Sequence, residues 1–253
     1  MKKNCKAWFI CAAALFAVFA VFTVLAAFYD VRPVGPDGSE VGFAALNLRV
    51  FQKLGARMQW YDITEYLGYL ALAVAATFGA TGLFQLVKRR SIRRVDQRIL
   101  LLGAFYALVL CCYVFFEVVI INFRPVLVEG QLEASYPSSH TVLTVCIMGT
   151  AALQLHSLLQ NKKPLRIGAE ILAVLIAGVT VVGRLLCGVH WFTDIVGGLL
   201  LSAALLVLYV AVSGYVDRKR TADLRKAQQM LRLYHFALHI AVQSSLGGPY
   251  LVI

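Results

Sequence analysis

Six apolar segments, each about as long as a bilayer core is thick, constrain this chain more than any other feature. A helix rises ~1.5 Å per residue and the hydrocarbon core is roughly 30 Å thick, so about 20 apolar residues make one crossing. Runs of that size cover about 7–28, 66–87, 99–121, 139–159, 167–186 and 191–212. Lipid offers no partner for an open backbone, so such runs form helices. The expected fold is all-α: a polytopic membrane helical bundle with six transmembrane helices. Composition agrees, with 60% of the 253 residues hydrophobic and 15% charged and a mean hydropathy of +0.75. These values exclude an ordinary soluble domain.

The first run follows Met1-Lys2-Lys3, as in a signal peptide. It is longer than a signal's apolar region and ends without a small-x-small cleavage site, so it reads as a retained signal-anchor helix. Residues 30–62 are polar and mixed. Within 41–58, Phe43, Leu46, Val50, Phe51 and Leu54 recur at helical spacing, with Arg49, Lys53 and Arg57 on another face. That pattern is an amphipathic helix, either lying on the membrane or packed on the end of the bundle. Residues 217–232 read as a basic exposed helix. The apolar stretch 235–253 is broken by Gly247, Gly248 and Pro249 and is not read as a seventh span. Three parts result: a signal-anchor helix with its amphipathic segment (1–62), a helical core (63–215) and a basic tail (216–253).

Eighteen of the 24 Lys and Arg residues fall in the N-terminus, the second-to-third loop, the fourth-to-fifth loop and the tail. The positive-inside rule makes that side cytoplasmic. Both termini are then cytoplasmic, the amphipathic helix is extracytoplasmic, and the expected location is a cell membrane, taken as a bacterial plasma membrane. The net charge of +11 has this origin, and there is no soluble basic face for nucleic acid. The six cysteines show no metal-ligand spacing and suggest no disulfide framework.

The loops on the other side carry the chemistry. One holds Asn122-Phe123-Arg124-Pro125, followed by Tyr136-Pro137-Ser138-Ser139-His140. Another holds Gly183-Arg184, then Gly188, His190 and Asp194. His190 and Asp194 are four apart and share a helical face. A carboxylate there can accept from one imidazole nitrogen and leave the other free as nucleophile or base. Arg184 and Arg124 bring planar forks that suit phosphate oxygens. Ser138 and Ser139 open a span, where backbone N–H groups and the helix dipole favour an anion and the hydroxyls can cap the helix or touch that anion. His140 is placed to act as a general acid. The set forms a phosphoryl-transfer constellation without a metal: two arginines beside His140, His190 and Asp194 make a cationic setting that disfavours zinc. No cofactor is expected.

These segments resemble the three signature motifs of the type-2 phosphatidic acid phosphatase superfamily: Lys-x6-Arg-Pro, Pro-Ser-Gly-His and Ser-Arg-x5-His-x3-Asp. Arg124-Pro125, Pro137-Ser138-x-His140 and Arg184-x5-His190-x3-Asp194 match, and the resemblance covers about 104–202. It implies that His190 is a nucleophile forming a phosphohistidine and that Asp194 orients it. It implies that His140 protonates the leaving group and later activates water. Arg124, Arg184 and Ser138 would hold the phosphate oxygens. Three positions depart from the pattern. Ser139 replaces the glycine, Gly183 replaces the serine before the arginine, and Glu117 stands where the family has lysine. Glu117 precedes Arg124 by seven residues, read as two helical turns, which would face its carboxylate toward the site. The expected function is a membrane phosphatase acting on a lipid phosphate or diphosphate from the outer leaflet, with undecaprenyl diphosphate, phosphatidic acid and phosphatidylglycerol phosphate as candidates. Alternatives are a head-group phosphotransferase or phosphodiester hydrolase, motivated by Glu117, and a non-catalytic lipid-binding or transport protein.

Overall fold

A computed structural model describes residues 5–245. Seven α-helices follow one another: α1 (Cys5–Phe28), α2 (Ala44–Leu54), α3 (Gln59–Arg89), α4 (Gln97–Val118), α5 (Ser139–Leu158), α6 (Lys163–Leu186) and α7 (Phe192–Ser245). All but the short α2 are long and apolar enough to cross a membrane. The described residues contain no strand, only isolated antiparallel bridges in the loops. The chain is a polytopic membrane helical bundle.

The boundaries shift from the apolar pattern where local chemistry overrides hydropathy. α3 begins at Gln59 rather than near Tyr66, because a polar first turn can extend a helix beyond its apolar run. α4 stops at Val118, and the backbone leaves the helix at Val119. Residues 119–124 are therefore not helical, and Glu117 and Arg124 do not stand two turns apart on one helix. α7 continues without a break through the basic tail, whose side chains are exposed over 217–232. Gly247, Gly248 and Pro249 lie outside the described residues.

α5 and α7 form the centre, and the other spans turn large apolar side chains such as Ile10, Val87 and Val174 outward. Lipid is as apolar as leucine, so the inner contacts rest on close packing rather than on escape from water. Phe19, Phe105, Tyr136, Cys146, Leu205 and Tyr209 belong to the main core. Gly197 and Gly198 seat α7 against the segment before α5. A Cβ on Gly197 would come within 2.5 Å of the Tyr136 ring.

The amphipathic helix is α2, packed on the bundle end that carries the motifs. Asn47 is fully buried. Its Nδ2 donates to the Gly42 carbonyl and to Thr193 Oγ1, both at 2.8 Å, and its Oδ1 accepts from the Thr193 backbone N–H at 3.1 Å. α2 thereby caps the first turn of α7. The Phe51 and Trp191 rings lie 5.6 Å apart.

Candidate active site

The three motif segments meet at one end of the bundle. The loop between α4 and α5 folds back on itself around Glu129-Gly130, both at positive φ. Arg124 N donates to Glu133 O, and Ser135 N donates to Asn122 O. This ladder brings Arg124 beside Ser135 and the start of α5. Between α6 and α7 the chain reverses at Gly188, at φ 74°. The reversal presents Arg184 from the last turn of α6 and His190 from the turn before α7.

His190 is buried. Its Nδ1 lies 3.0 Å from the Ser135 carbonyl, which can only accept, so Nδ1 carries the proton. Nε2 is left with its lone pair and has no hydrogen-bond partner. Burial, followed by the charges of Arg124, Arg184 and His140, holds the His190 pKa well below its usual value. A neutral imidazole with a fixed tautomer is the form a nucleophile needs.

Asp194 is placed differently from the simple pairing that the four-residue spacing suggests. Its Oδ2 is 3.9 Å from His190 Nδ1, beyond hydrogen-bonding distance. Oδ2 instead accepts from Trp191 N at 2.8 Å, and Oδ1 accepts from Asn122 Nδ2 at 3.3 Å. Asp194 ties down the turn that carries His190 and places a carboxyl group close to the ring. Asn122 also accepts from Gly42 N at 3.1 Å, linking the loop before α2 to the same carboxylate.

Ser138 is the N-cap residue of α5 but makes no side-chain cap. Its hydroxyl accepts from Thr141 Oγ1 at 3.1 Å, and its N–H donates to the Asp194 carbonyl at 3.0 Å. Ser139 lies at the first position of α5 and lines a cleft with Tyr113, Phe116, Glu117 and Ser135. Glu117 is exposed in that cleft. Arg124 pairs instead with Glu133, Nη2 to Oε2 at 3.0 Å.

The buried nitrogens without partners describe the chemistry of the site. They include Nε and Nη1 of Arg124, Nε and Nη1 of Arg184, Nδ1 of His140 and Nε2 of His190. His190 lies within electrostatic reach of both arginines and His140. Buried donors without partners are costly. Two guanidinium groups and two imidazoles converging in this way suit a phosphate better than any neutral ligand.

One helix contributes more than the motifs indicate. Tyr61, Thr64, Glu65 and Gly68 form a stripe along α3. The Arg184 guanidinium carbon lies 5.1 Å from the Tyr61 ring centroid. Glu65 Oε1 is 2.6 Å from Arg184 Nη2 and 3.2 Å from His140 Nε2. The signal for Glu65 was an ionisable residue inside a span. The apolar run starts only at Tyr66, so hydropathy leaves Glu65 outside the span although α3 begins at Gln59.

Residues 118–218 match the family model of the PAP2 superfamily. The chain is also similar to a transmembrane PAP2-type phosphatidylglycerolphosphate phosphatase from Bacillus subtilis. The TM-score is 0.56 at 18% identity, over 82% of this chain and 96% of that one. At that identity the likeness is one of fold. No curated protein matches the chain. Arg124, Ser138, His140, Arg184, His190 and Asp194 all lie inside the matched stretch, and Glu65 and Glu117 lie outside it. Residues 118–218 thus resemble the PAP2 superfamily in sequence, and the fold is similar to that of a PAP2-type membrane phosphatase.

Proposed function

We propose that this protein hydrolyses a lipid phosphate monoester or diphosphate through a phosphohistidine at His190, on the extracytoplasmic face. The observation that carries the reading is the His190 ring. Its Nδ1 proton is committed to Ser135 O and its Nε2 is free among Arg124, Arg184 and His140. Nε2 attacks phosphorus while the ester P–O bond breaks, and the leaving oxygen takes a proton from His140. The phosphorylated ring gains positive charge, which Asp194 at 3.9 Å stabilises. Water then attacks phosphorus and gives its proton to His140. The P–N bond breaks and inorganic phosphate leaves. The arginines hold the equatorial oxygens throughout, consistent with a chemistry that rests on positioning and charge.

The face of action follows from the distribution of Lys and Arg. The substrate is an outer-leaflet lipid, and phosphatidylglycerol phosphate, phosphatidic acid and undecaprenyl diphosphate are the candidates to assay. The test is trapping of phosphate from each labelled lipid on the purified protein by quenching in alkaline detergent. Base-stable, acid-labile label that is lost in His190→Ala supports the reading. Turnover without any label on His190 rules out the phosphohistidine.

A second reading rests on Glu117. Its carboxylate lies exposed beside Tyr113 and Phe116, in a cleft that reaches Ser135 and Ser139, while Arg124 pairs with Glu133. A carboxylate flanked by aromatic rings suits an amine head group. On this reading the same core cleaves or transfers an ethanolamine or choline phosphate. Release of head group across lipid classes by wild type and Glu117→Lys decides, and an unchanged preference removes this reading.

A further inference from the structure

α3 approaches the site closely because position 183 is glycine. A Cβ there would lie 2.5 Å from Thr64 Cγ2 and 3.1 Å from the Trp60 ring. One turn beyond Thr64, Gly68 leaves room for the His140 imidazole, which a Cβ would meet at 3.1 Å. Glu65 stands between these two contacts. A single oxygen, Oε1, reaches both Arg184 Nη2 and His140 Nε2. Arg184 keeps Nε and Nη1 without partners, so the carboxylate does not consume its capacity for phosphate. An imidazole nitrogen 3.2 Å from a carboxylate oxygen carries the proton. The other nitrogen of His140, Nδ1, is buried without a partner.

We propose that Glu65 is a positioning residue for the proton donor. Its carboxylate accepts from His140 Nε2–H, fixes the ring and favours the doubly protonated imidazolium, so that Nδ1–H gives its proton to the leaving oxygen while Nε2 keeps its own. The proposal rests on the phosphatase reading above. The charged groups around His140 are Glu65 on α3, Arg184 on α6 and Arg124 on the loop before α5, and Glu65 alone among them is anionic. The competing account makes Glu65 only the counter-ion of buried Arg184.

Leaving-group chemistry separates the two accounts. An alkyl phosphate needs its leaving oxygen protonated, whereas 4-nitrophenolate departs as a stable anion. The experiment measures kcat/KM of the full-length protein in lipid nanodiscs for octyl phosphate and 4-nitrophenyl phosphate. Glu65→Gln is expected to lose about 10²-fold on octyl phosphate and much less on the aryl ester. In a His140→Ala background the same change should add no further loss on octyl phosphate. Glu65→Asp keeps the charge beside Arg184 but shortens the arm, and it should show the same discrimination if Glu65→Gln fails to fold. Equal losses on both esters, or losses that add to those of His140→Ala, overturn the proposal. Wild type that turns over neither ester and takes no label on His190 overturns the phosphatase reading itself.

Discussion

At the scale of single residues, the site depends on nitrogens whose protons are fixed by neighbours. Arg184 shows how little freedom is left. It is buried, stacked on Tyr61 and bonded to Glu65. Arg184→Lys keeps the charge but loses the planar fork and the ring contact. Loss of a donor aimed at developing charge costs about 10²-fold in kcat, and steady-state kinetics on the preferred lipid should show a fall of that order. His190 makes a prediction about pH. Its native pKa lies well below the usual 6.5, so below about pH 6.5 the unfolded chain takes up a proton that the native site refuses. Native stability therefore falls as pH falls, by about 1.4 kcal/mol per unit until the native pKa is reached. Thermal unfolding in detergent from pH 7.5 to 5.5 should show wild type losing more than His190→Gln, and parallel curves would contradict the neutral imidazole. Motif spacing made Arg124, His140, Arg184, His190 and Asp194 legible in the sequence. The Ser135 carbonyl was not, because a backbone acceptor carries no side-chain signature.

At the scale of elements, two short contacts set the geometry. The first is the lock between α2 and α7. Asn47 serves three partners in a buried setting. Asn47→Ala leaves the Gly42 carbonyl and the Thr193 N–H without partners, at about 1–3 kcal/mol for each buried group. A lowered thermal midpoint, with a fall in kcat as the His190 turn loosens, is the expected result. The second contact is α3 against α6. Gly183→Ser inserts a side chain where Thr64 and Trp60 already stand. Overpacking of this kind costs about 1–3 kcal/mol. Unfolding should register that loss, and activity should drop because Glu65 moves with α3. Unchanged stability would mean that the helices part easily. The amphipathic α2 was legible from its periodicity. Its attachment to the first turn of α7 was not, because Asn47 and Thr193 are 146 residues apart.

At the scale of the whole molecule, the bundle brings four segments to one end while the basic loops gather at the other. The proposed orientation is directly measurable. A membrane-impermeant thiol reagent should label Glu40→Cys in intact cells, and Thr221→Cys only after permeabilisation, in a background without the native cysteines. The reverse pattern would invert the topology and put the site on the cytoplasmic face. The extended α7 carries the exposed positions 217–232 well away from the site, so removing the chain after Val216 should leave kcat/KM within about threefold, as for a surface change remote from the chemistry.

The sequence by itself determined that the chain is a six-span helical bundle. Lipid leaves the backbone no other economical way to pair, and about twenty apolar residues are easily counted. Motif spacing also singled out Arg124, His140, Arg184, His190 and Asp194, which the fold brings to one end of the bundle. Tertiary structure decided which nitrogen of each histidine is free, what Asp194 actually bonds, and that a glutamate on α3 enters the site. Those outcomes depend on distances of about 3 Å between residues far apart in the chain. Hydrogen bonds and close packing act at that range, and no periodicity in the sequence records it.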